Sequence, residues 1–412
     1  MTHTKLTTKE NLFPFIMITA LFFLWGIAHG LLDVLDKHFQ DILQLTKANS
    51  AMIQFSLYMA YFSMALPAGI FMRRFGYRKG IILGLLLFAS GAFLIAGTTM
   101  LESFWVFLGC LFILGCGLTT LETAANPYTT RLGPPETAER RINFSQSFNG
   151  LAWTVGPLIG LYVYSNSTVI EGEKLTSLIP PYLIIGFVVF LVALVFMRIQ
   201  LPEIKGEEIS EVQSSTGTNT PLLQQRHFVL GVIAQFAYVA AQTGVFSFLI
   251  NFITDETLQP HFQKEYAPYF LSIGFALFMI GRMTGSYAMS FVKPTTLLAV
   301  YSLACLVLLP VVSGKFGLIS IIALYGVFFF MSIMFPTIFA LGIKSLGPQT
   351  KKASSFIVMS IVGGAVFPPL MGWISDITSM STGFLAPIPL FAFIFYYAAH
   401  GYKIKENDYR VS

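Results

Sequence analysis

Long apolar runs, each bounded by a short polar or charged stretch, recur along the whole chain. A bilayer core about 30 Å thick needs about 20 mostly apolar helical residues to cross it. Runs of that kind fall near 12–36, 50–71, 79–98, 104–128, 144–165 and 178–199, and again near 228–253, 267–290, 296–312, 317–342, 355–375 and 384–403. The pattern predicts an all-α membrane protein with twelve transmembrane helices. Alternation of apolar and polar residues at period two, the mark of a membrane β-barrel, is absent.

Composition strengthens this reading. Of 412 residues, 55% are hydrophobic and 11% charged, against roughly 25% charged in an ordinary soluble protein. So few charges cannot cover a water-exposed surface, and the expected partner of most of that surface is a lipid bilayer. The net charge of +5 forms no basic stripe, so nucleic acid is not expected as a partner. Cys110, Cys116 and Cys305 lie within apolar runs and predict no disulfide framework, metal site or cofactor. The opening stretch is polar and the apolar run after it too long for a signal-peptide core, so no cleavable signal is expected.

An even number of spans puts both termini on one side. Of the 25 Lys and Arg residues, all but Lys37, Lys47, Lys174, Lys264 and Lys315 fall in segments on that side, Arg131, Arg141, Arg282 and Lys344 among them. The positive-inside rule makes that side the cytoplasm, and the expected location is a bacterial inner membrane, with the chain acting as a monomer. The polar stretch 201–226 reads as a cytoplasmic linker between a six-helix bundle over 1–200 and a second over 227–412. Leu132-Gly133-Pro134 followed by Pro157-Leu158-Ile159-Gly160 has a counterpart in Leu346-Gly347-Pro348 and Pro369-Leu370-Met371-Gly372, nearly half the chain further on. Two matches in register predict a duplicated half. Paired six-helix repeats resemble the major facilitator architecture, in which the substrate site lies between the halves.

Ionisable groups inside spans are costly and point to function. Glu122 is the strongest candidate: it lies mid-span with Asn126 on the same helical face, and Pro127 frees a backbone carbonyl one turn back. Trp25, His29, Asp33 and Asp36 share a face of the first span. Asp33 is read as functional and Asp36 as an outer loop residue, while His29 fits either a proton partner or a hydrogen-bonded packing residue. Asn143, Gln146 and Asn149 in span five, and Gln235, Tyr238, Gln242 and Phe246 in span seven, interleave amides with aromatics. That mixture suits a sugar, whose hydroxyls take amide bonds and whose C–H faces lie on rings; interhelical hydrogen bonding uses the same residues. No P-loop is present, which removes an ATP-driven mechanism.

Leu121-Glu-Thr-Ala-Ala-Asn-Pro127 resembles the fucose permease family, the fucose–proton symporters and related glucose/galactose permeases. Phe22-Phe-Leu-Trp-Gly26, Ala234-Gln-Phe-Ala-Tyr-Val-Ala-Ala-Gln-Thr243, Pro336-Thr-Ile-Phe339, Leu341-Gly-Ile-Lys344 and Ser354-Ser-Phe-Ile-Val-Met359 extend the likeness over nearly the whole chain. The resemblance implies that Asp33 matches the proton-linked acid of helix one, Glu122 the helix-four acid linking protonation to sugar, and Gln146 and Asn149 cavity amides. Two departures stand out. The family's asparagine pair before the first acid is absent, the chain reading His29-Gly30-Leu31-Leu32-Asp33. The usual aspartate of the loop between helices two and three is replaced by Arg73, so a cytoplasmic latch cannot use that charge pair.

The expected function is a proton-coupled monosaccharide symporter working by alternating access, with proton and a fucose-, glucose- or galactose-like sugar as its cargoes. Asp33 and Glu122 are the candidate proton-coupling acids. Glu122, Asn126, Gln146, Asn149, Gln235, Tyr238, Gln242 and Trp25 are the candidate sugar contacts. On upright helices the two acids differ in depth by ~17 Å at ~1.5 Å per residue, which predicts two separate sites. Three alternatives remain: the same fold serving another solute or ion, which the missing asparagine pair favours; a transport-inactive sugar sensor; and a membrane enzyme using Glu122, which lacks an accompanying nucleophile or metal constellation.

Overall fold

The computed structural model describes residues 5–43, 47–98, 103–166, 179–199, 201, 221–255, 258, 262 and 266–404, with side chains described except at 31–43, 47–51, 157, 160–166, 267 and 268. The first part of the chain forms α1 (Leu12–Leu43), α2 (Lys47–Thr98), α3 (Phe104–Arg131), α4 (Ala138–Asn166) and α5 (Ile179–Arg198). The second forms α6 (Arg226–Ile253), α7 (Ala267–Ala288), α8 (Pro294–Ser313), α9 (Leu318–Met331), α10 (Met334–Gly342), α11 (Thr350–Met359), α12 (Gly363–Ile377), α13 (Met380–Gly383) and α14 (Ile388–Tyr396). Among the described residues there is no strand.

Twelve crossings emerge once the breaks are read. The loop expected between the second and third spans is reduced to one residue, Gly76, whose φ of 84° turns α2 back on itself; an L side chain rarely adopts that angle. The tenth, eleventh and twelfth spans are each split, as α9 with α10, α11 with α12, and α13 with α14. Nine described stretches are long and apolar enough to cross a membrane, one of them the 46-residue Met52–Gly97. Helices α4 and α7 are not among the nine, and both carry polar side chains inward. The lipid-type surface is plain on α5, where Ile184, Phe187, Leu191 and Leu194 are exposed while Val189, Ala193 and Phe196 are buried.

Helix α3 is the central element: every residue from Gly117 to Thr129 is buried. Its threonines satisfy themselves within the helix, Thr119, Thr120 and Thr123 donating to the carbonyls of Gly115, Cys116 and Thr119 at 2.8 Å. Pro127 brings no N–H, so the carbonyl of Thr123 is left over, and the Ser354 hydroxyl of α11 takes it at 3.0 Å. At the C-terminal end, where a helix leaves its last carbonyls unpaired, the wholly buried Arg141 donates to Thr129 O at 2.8 Å and to Thr130 O. Arg141 also holds Leu6 O at 2.9 Å, which fixes the chain ahead of α1 to this end of the bundle.

The duplicated phrase runs into a 3-10 turn in both halves, though the turn begins two residues earlier in the second. Leu132 caps α3 and leads into a 3-10 turn at Pro135–Thr137, while Leu346 leads into a 3-10 turn at Gly347–Gln349. The two turns face each other, with Arg131 Nη2 donating to Thr350 Oγ1 at 2.9 Å. The linker expected over 201–226 falls largely outside the described residues.

Candidate functional site

Where the halves meet, they enclose a cavity of about 300 Å³. From the first half come His29, Tyr58, Tyr61, Glu122, Gln146, Asn149 and Trp153; from the second come Gln242, Thr243, Phe246, Phe275, Arg282 and Phe335.

Its polar wall is set by tight packing of α1 on α4. A Cβ on Gly156 would lie 2.5 Å from the backbone of Gly30, so the two helices touch through bare backbone, the small-residue contact common in membranes. This brings the rings of His29 and Trp153 to 5.5 Å in a stacked arrangement. The Trp153 indole also adjoins Phe246 and Phe275, with centroids at 5.8 and 5.3 Å. One side of the cavity is therefore aromatic.

The other side is a polar cluster centred on a residue expected elsewhere. Arg282 was counted above among the cytoplasmic loop charges, but α7 carries it inward, where it is 3% exposed. Its guanidinium donates to Gln146 O at 2.7 Å, to Gln146 Oε1 at 3.2 Å and to Ser332 O at 2.8 Å, and lies 4.5 Å over the Phe278 ring. The Ser332 carbonyl is free to accept because Pro336, four residues on, has no N–H to offer it. The signal was available in the sequence: Arg282 lies well inside the apolar run 267–290, where a cation is costly.

Glu122 projects from α3 into this cluster, 7% exposed. It interacts electrostatically with Arg282 across the two halves and lies within side-chain hydrogen-bonding reach of the Tyr61 hydroxyl, while its Oε2 has no partner among the described residues. Gln146 Nε2 donates to Asn126 Oδ1 at 3.2 Å, and Asn149 Nδ2 to Phe22 O at 3.1 Å. Asn143, part of the same amide series, sits below the cavity and donates to Thr337 Oγ1 of the other half at 3.0 Å.

Of the expected sugar contacts, Glu122, Gln146, Asn149 and Gln242 line the cavity. Asn126 is wholly buried behind Gln146, and Trp25, 1% exposed, packs on Phe22 with centroids 4.3 Å apart. Gln235 and Tyr238 are wholly buried outside the lining; both Gln235 amide atoms lack a partner among the described residues, while the Tyr238 hydroxyl interacts with the Arg282 guanidinium. The side chains of Asp33 and Asp36 lie outside the described residues, and with them the expected separation of the two acids. Unread from sequence were Arg282, the cavity ring of Phe275, and the pairing of His29 with Tyr61, whose hydroxyl lies 3.0 Å from Nε2. Among the described residues no group of His, Cys, Asp and Glu is placed to hold a metal ion.

Comparison with known proteins agrees with this geometry. Residues 12–361 match the Major Facilitator Superfamily model. The chain is 37% identical to the L-fucose-proton symporter of Escherichia coli (strain K12), covering 95% of this chain and 93% of that one. It is 34% identical to the glucose/galactose transporter of Brucella abortus biovar 1 (strain 9-941), covering 97% of each. A crystal structure of the fucose symporter in the outward conformation superposes with a TM-score of 0.83 at 36% identity, over 95% of this chain and 99% of that one. The proton:xylose symporter shares the fold at 11% identity, with a TM-score of 0.76 over 95% of this chain and 96% of that one. The chain belongs to the major facilitator superfamily of multi-pass membrane transporters and, within it, to the fucose permease-like family.

Proposed function

We propose that this chain is a proton-coupled symporter that imports a monosaccharide by alternating access. The observation that carries the reading is that one cavity between the halves is lined by both Glu122 and Trp153, whose Oε2 and indole N–H have no partner among the described residues. Buried polar groups left unpaired cost about 1–3 kcal/mol each, and a hydroxyl-bearing solute in the cavity, in reach of the Glu122 carboxyl and the edge of the Trp153 ring, would supply partners for both. A cavity of about 300 Å³ is at the small end of the roughly 300–1,000 Å³ range of ligand sites, which suits a single sugar ring.

The termini face the cytoplasm of a bacterial inner membrane, the protein works as a monomer in the lipid bilayer, and its halves are the bundles 1–200 and 227–412 joined by a linker over 201–226. The state seen is closed toward the termini. Supporting this are the inter-half contacts at that end: Lys344 with Glu139 at 3.0 Å, Arg131 with Thr350 at 2.9 Å, and Ser286 with Arg140 O at 3.0 Å. In the proposed cycle Glu122 takes up a proton, which removes a charge whose burial is costly. Sugar then binds Glu122, Gln146, Asn149, Gln242 and Trp153, and the loaded halves rock toward the cytoplasm. Asp33, on α1 toward the outer side, is the second acid of the cycle.

Uptake into proteoliposomes across a hexose panel, with and without an imposed inward proton gradient, tests the proposal. The expected result is gradient-dependent accumulation of fucose, glucose or galactose. Accumulation without regard to the gradient assigns another coupling ion, and sugar binding without uptake assigns a sensor; either overturns the reading.

A further inference from the structure

We infer that His29 and Tyr61 form a proton relay along the cavity wall to Glu122, a role that rests on the symport reading above. Three side chains from three helices stand in line. His29 of α1 has its Nε2 3.0 Å from the Tyr61 hydroxyl of α2, and the same hydroxyl reaches the Glu122 carboxyl of α3. Their exposures are graded: Tyr61 is 1% and Glu122 7% exposed, whereas His29 is only half-buried and forms part of the cavity wall. The accessible member is the one whose ordinary titration range lies nearest neutrality. Tyr61 and Glu122 also adjoin the cavity, but both are less exposed than His29.

The line is held in place. Trp153 stacks on the imidazole with ring centroids 5.5 Å apart and planes 23° apart, and the backbone contact of Gly30 with Gly156 fixes the height of α1 against α4. The titratable and charged side chains on the cavity wall, among the described residues, are His29, Tyr58, Tyr61, Glu122 and Arg282. Tyr58 neighbours Tyr61 on α2, and Arg282 faces Glu122 from α7. The Arg282 cation therefore favours a carboxylate at the far end of the line and opposes a lasting positive charge along it, so the proton passes His29 rather than resting there.

The transfer balances without an added reactant. A proton accepted at Nδ1 of neutral His29 releases the Nε2 proton to the Tyr61 oxygen as the Tyr61 proton moves to the Glu122 carboxylate. His29 is then neutral with its proton on Nδ1, Tyr61 is a phenol, and Glu122 is a neutral acid. Reorientation of the imidazole and the hydroxyl restores the starting arrangement. If the contact of His29 with Tyr61 served packing alone, an uncharged hydrogen-bonding side chain at 29 would replace it without consequence.

The test uses the full chain in proteoliposomes, with Tyr61→Phe, which keeps the ring and removes the hydroxyl, and His29→Gln, which keeps a hydrogen-bonding group and cannot take up a proton. Two rates are read for each: sugar-driven proton uptake under net flux, and sugar exchange at equal concentrations on both sides. A lost proton-transfer group typically costs 10²–10⁴-fold, so proton-coupled flux is expected to fall at least about tenfold more than exchange in both variants, and the pH profile of net uptake to change in His29→Gln. Equal loss of the two rates with an unchanged pH profile, or no loss in either variant, overturns the relay. If Tyr61→Phe fails to reach the membrane, His29→Gln decides alone. Absence of sugar-driven proton uptake in the parent protein defeats the symport reading itself, and the relay with it; normal parent uptake with unaffected variants defeats only the relay.

Discussion

The ammonium of Lys344 lies 3.0 Å from Oε1 of Glu139, joining the segment after α10 to the first turn of α4 across the two halves. The contact has a pseudo-symmetric counterpart. Arg131, at the end of α3, donates to Thr350 at the start of α11, so each half offers a cation from one helix end to the helix start that follows the equivalent turn in the other. Lys351 adds a third link, 5.0 Å above the Tyr77 ring. This exchange supplies the clasp that a charge pair at Arg73 could not.

Loosening the clasp should shift the conformational balance. Lys344 is 53% exposed and screened by solvent, so the pair is worth about 0.5–1 kcal/mol. Lys344→Met is expected to raise the ratio of open to closed forms about 2- to 5-fold by the same energy. Electron spin distances between labels at Arg74→Cys and Lys352→Cys, both exposed sites at that end, read the two populations. An unaltered distance distribution would show that the ion pair is incidental to closure.

How much of this was legible in the sequence depends on which interactions are local. Same-face spacing brought Glu122, Gln146, Asn149 and Gln242 to the cavity because all four obey a helical period. The same rule cannot tell a cavity face from a core face, since both accept aromatics and amides; hence Trp25, Gln235 and Tyr238 are buried away from the lining. Arg282 was obscured by charge counting, which assigned it to a loop although it lies inside the apolar run 267–290. The pairing of His29 with Tyr61, and of Ser354 with the Thr123 carbonyl, joins residues far apart in the chain, and no periodicity encodes it.

Arg282 is the electrostatic complement of Glu122, and its removal should expose that dependence. Arg282→Met leaves the Glu122 carboxylate without the cation that faces it and the Ser332 carbonyl without a donor. Each buried acceptor that loses its donor costs about 1–3 kcal/mol. The variant is expected to melt well below the parent, and adding Glu122→Gln should recover part of the loss. Arg282→Lys retains the charge but cannot reproduce the forked donation to Gln146 and Ser332, so its melting point should fall between those of the parent and Arg282→Met. Strictly additive effects of Arg282→Met and Glu122→Gln on Tm would argue that the two groups are independent.

The cavity amides should not be equivalent. Gln146 links Asn126 to Arg282, whereas Asn149 donates to a single backbone carbonyl of α1. Replacing either with Ala is expected to weaken sugar affinity about 5- to 150-fold, the equivalent of ~1–3 kcal/mol per lost polar contact. Gln146→Ala should show the larger effect, because it also releases Arg282. Equilibrium binding on purified protein measures both. Unchanged affinity in the two variants would assign these amides to helix packing alone.

The sharpest test of the inter-half architecture is the bond between Ser354 and the Thr123 carbonyl. That carbonyl is available only because Pro127 has no N–H to give it. In the parent chain Ser354→Ala strands a buried carbonyl, at a cost of about 1–3 kcal/mol. In a Pro127→Ala background the new amide at position 127 lies one helical turn away and takes the same carbonyl. There Ser354→Ala should cost far less, so the double-mutant cycle should show a coupling of about 0.5–3 kcal/mol. Because the bond joins the two halves, Ser354→Ala alone should also raise the open population in the spin-distance measurement, with a smaller rise once Pro127 is replaced. A cycle that closes to zero would mean that α3 accommodates Pro127 by itself, with Ser354 as a bystander.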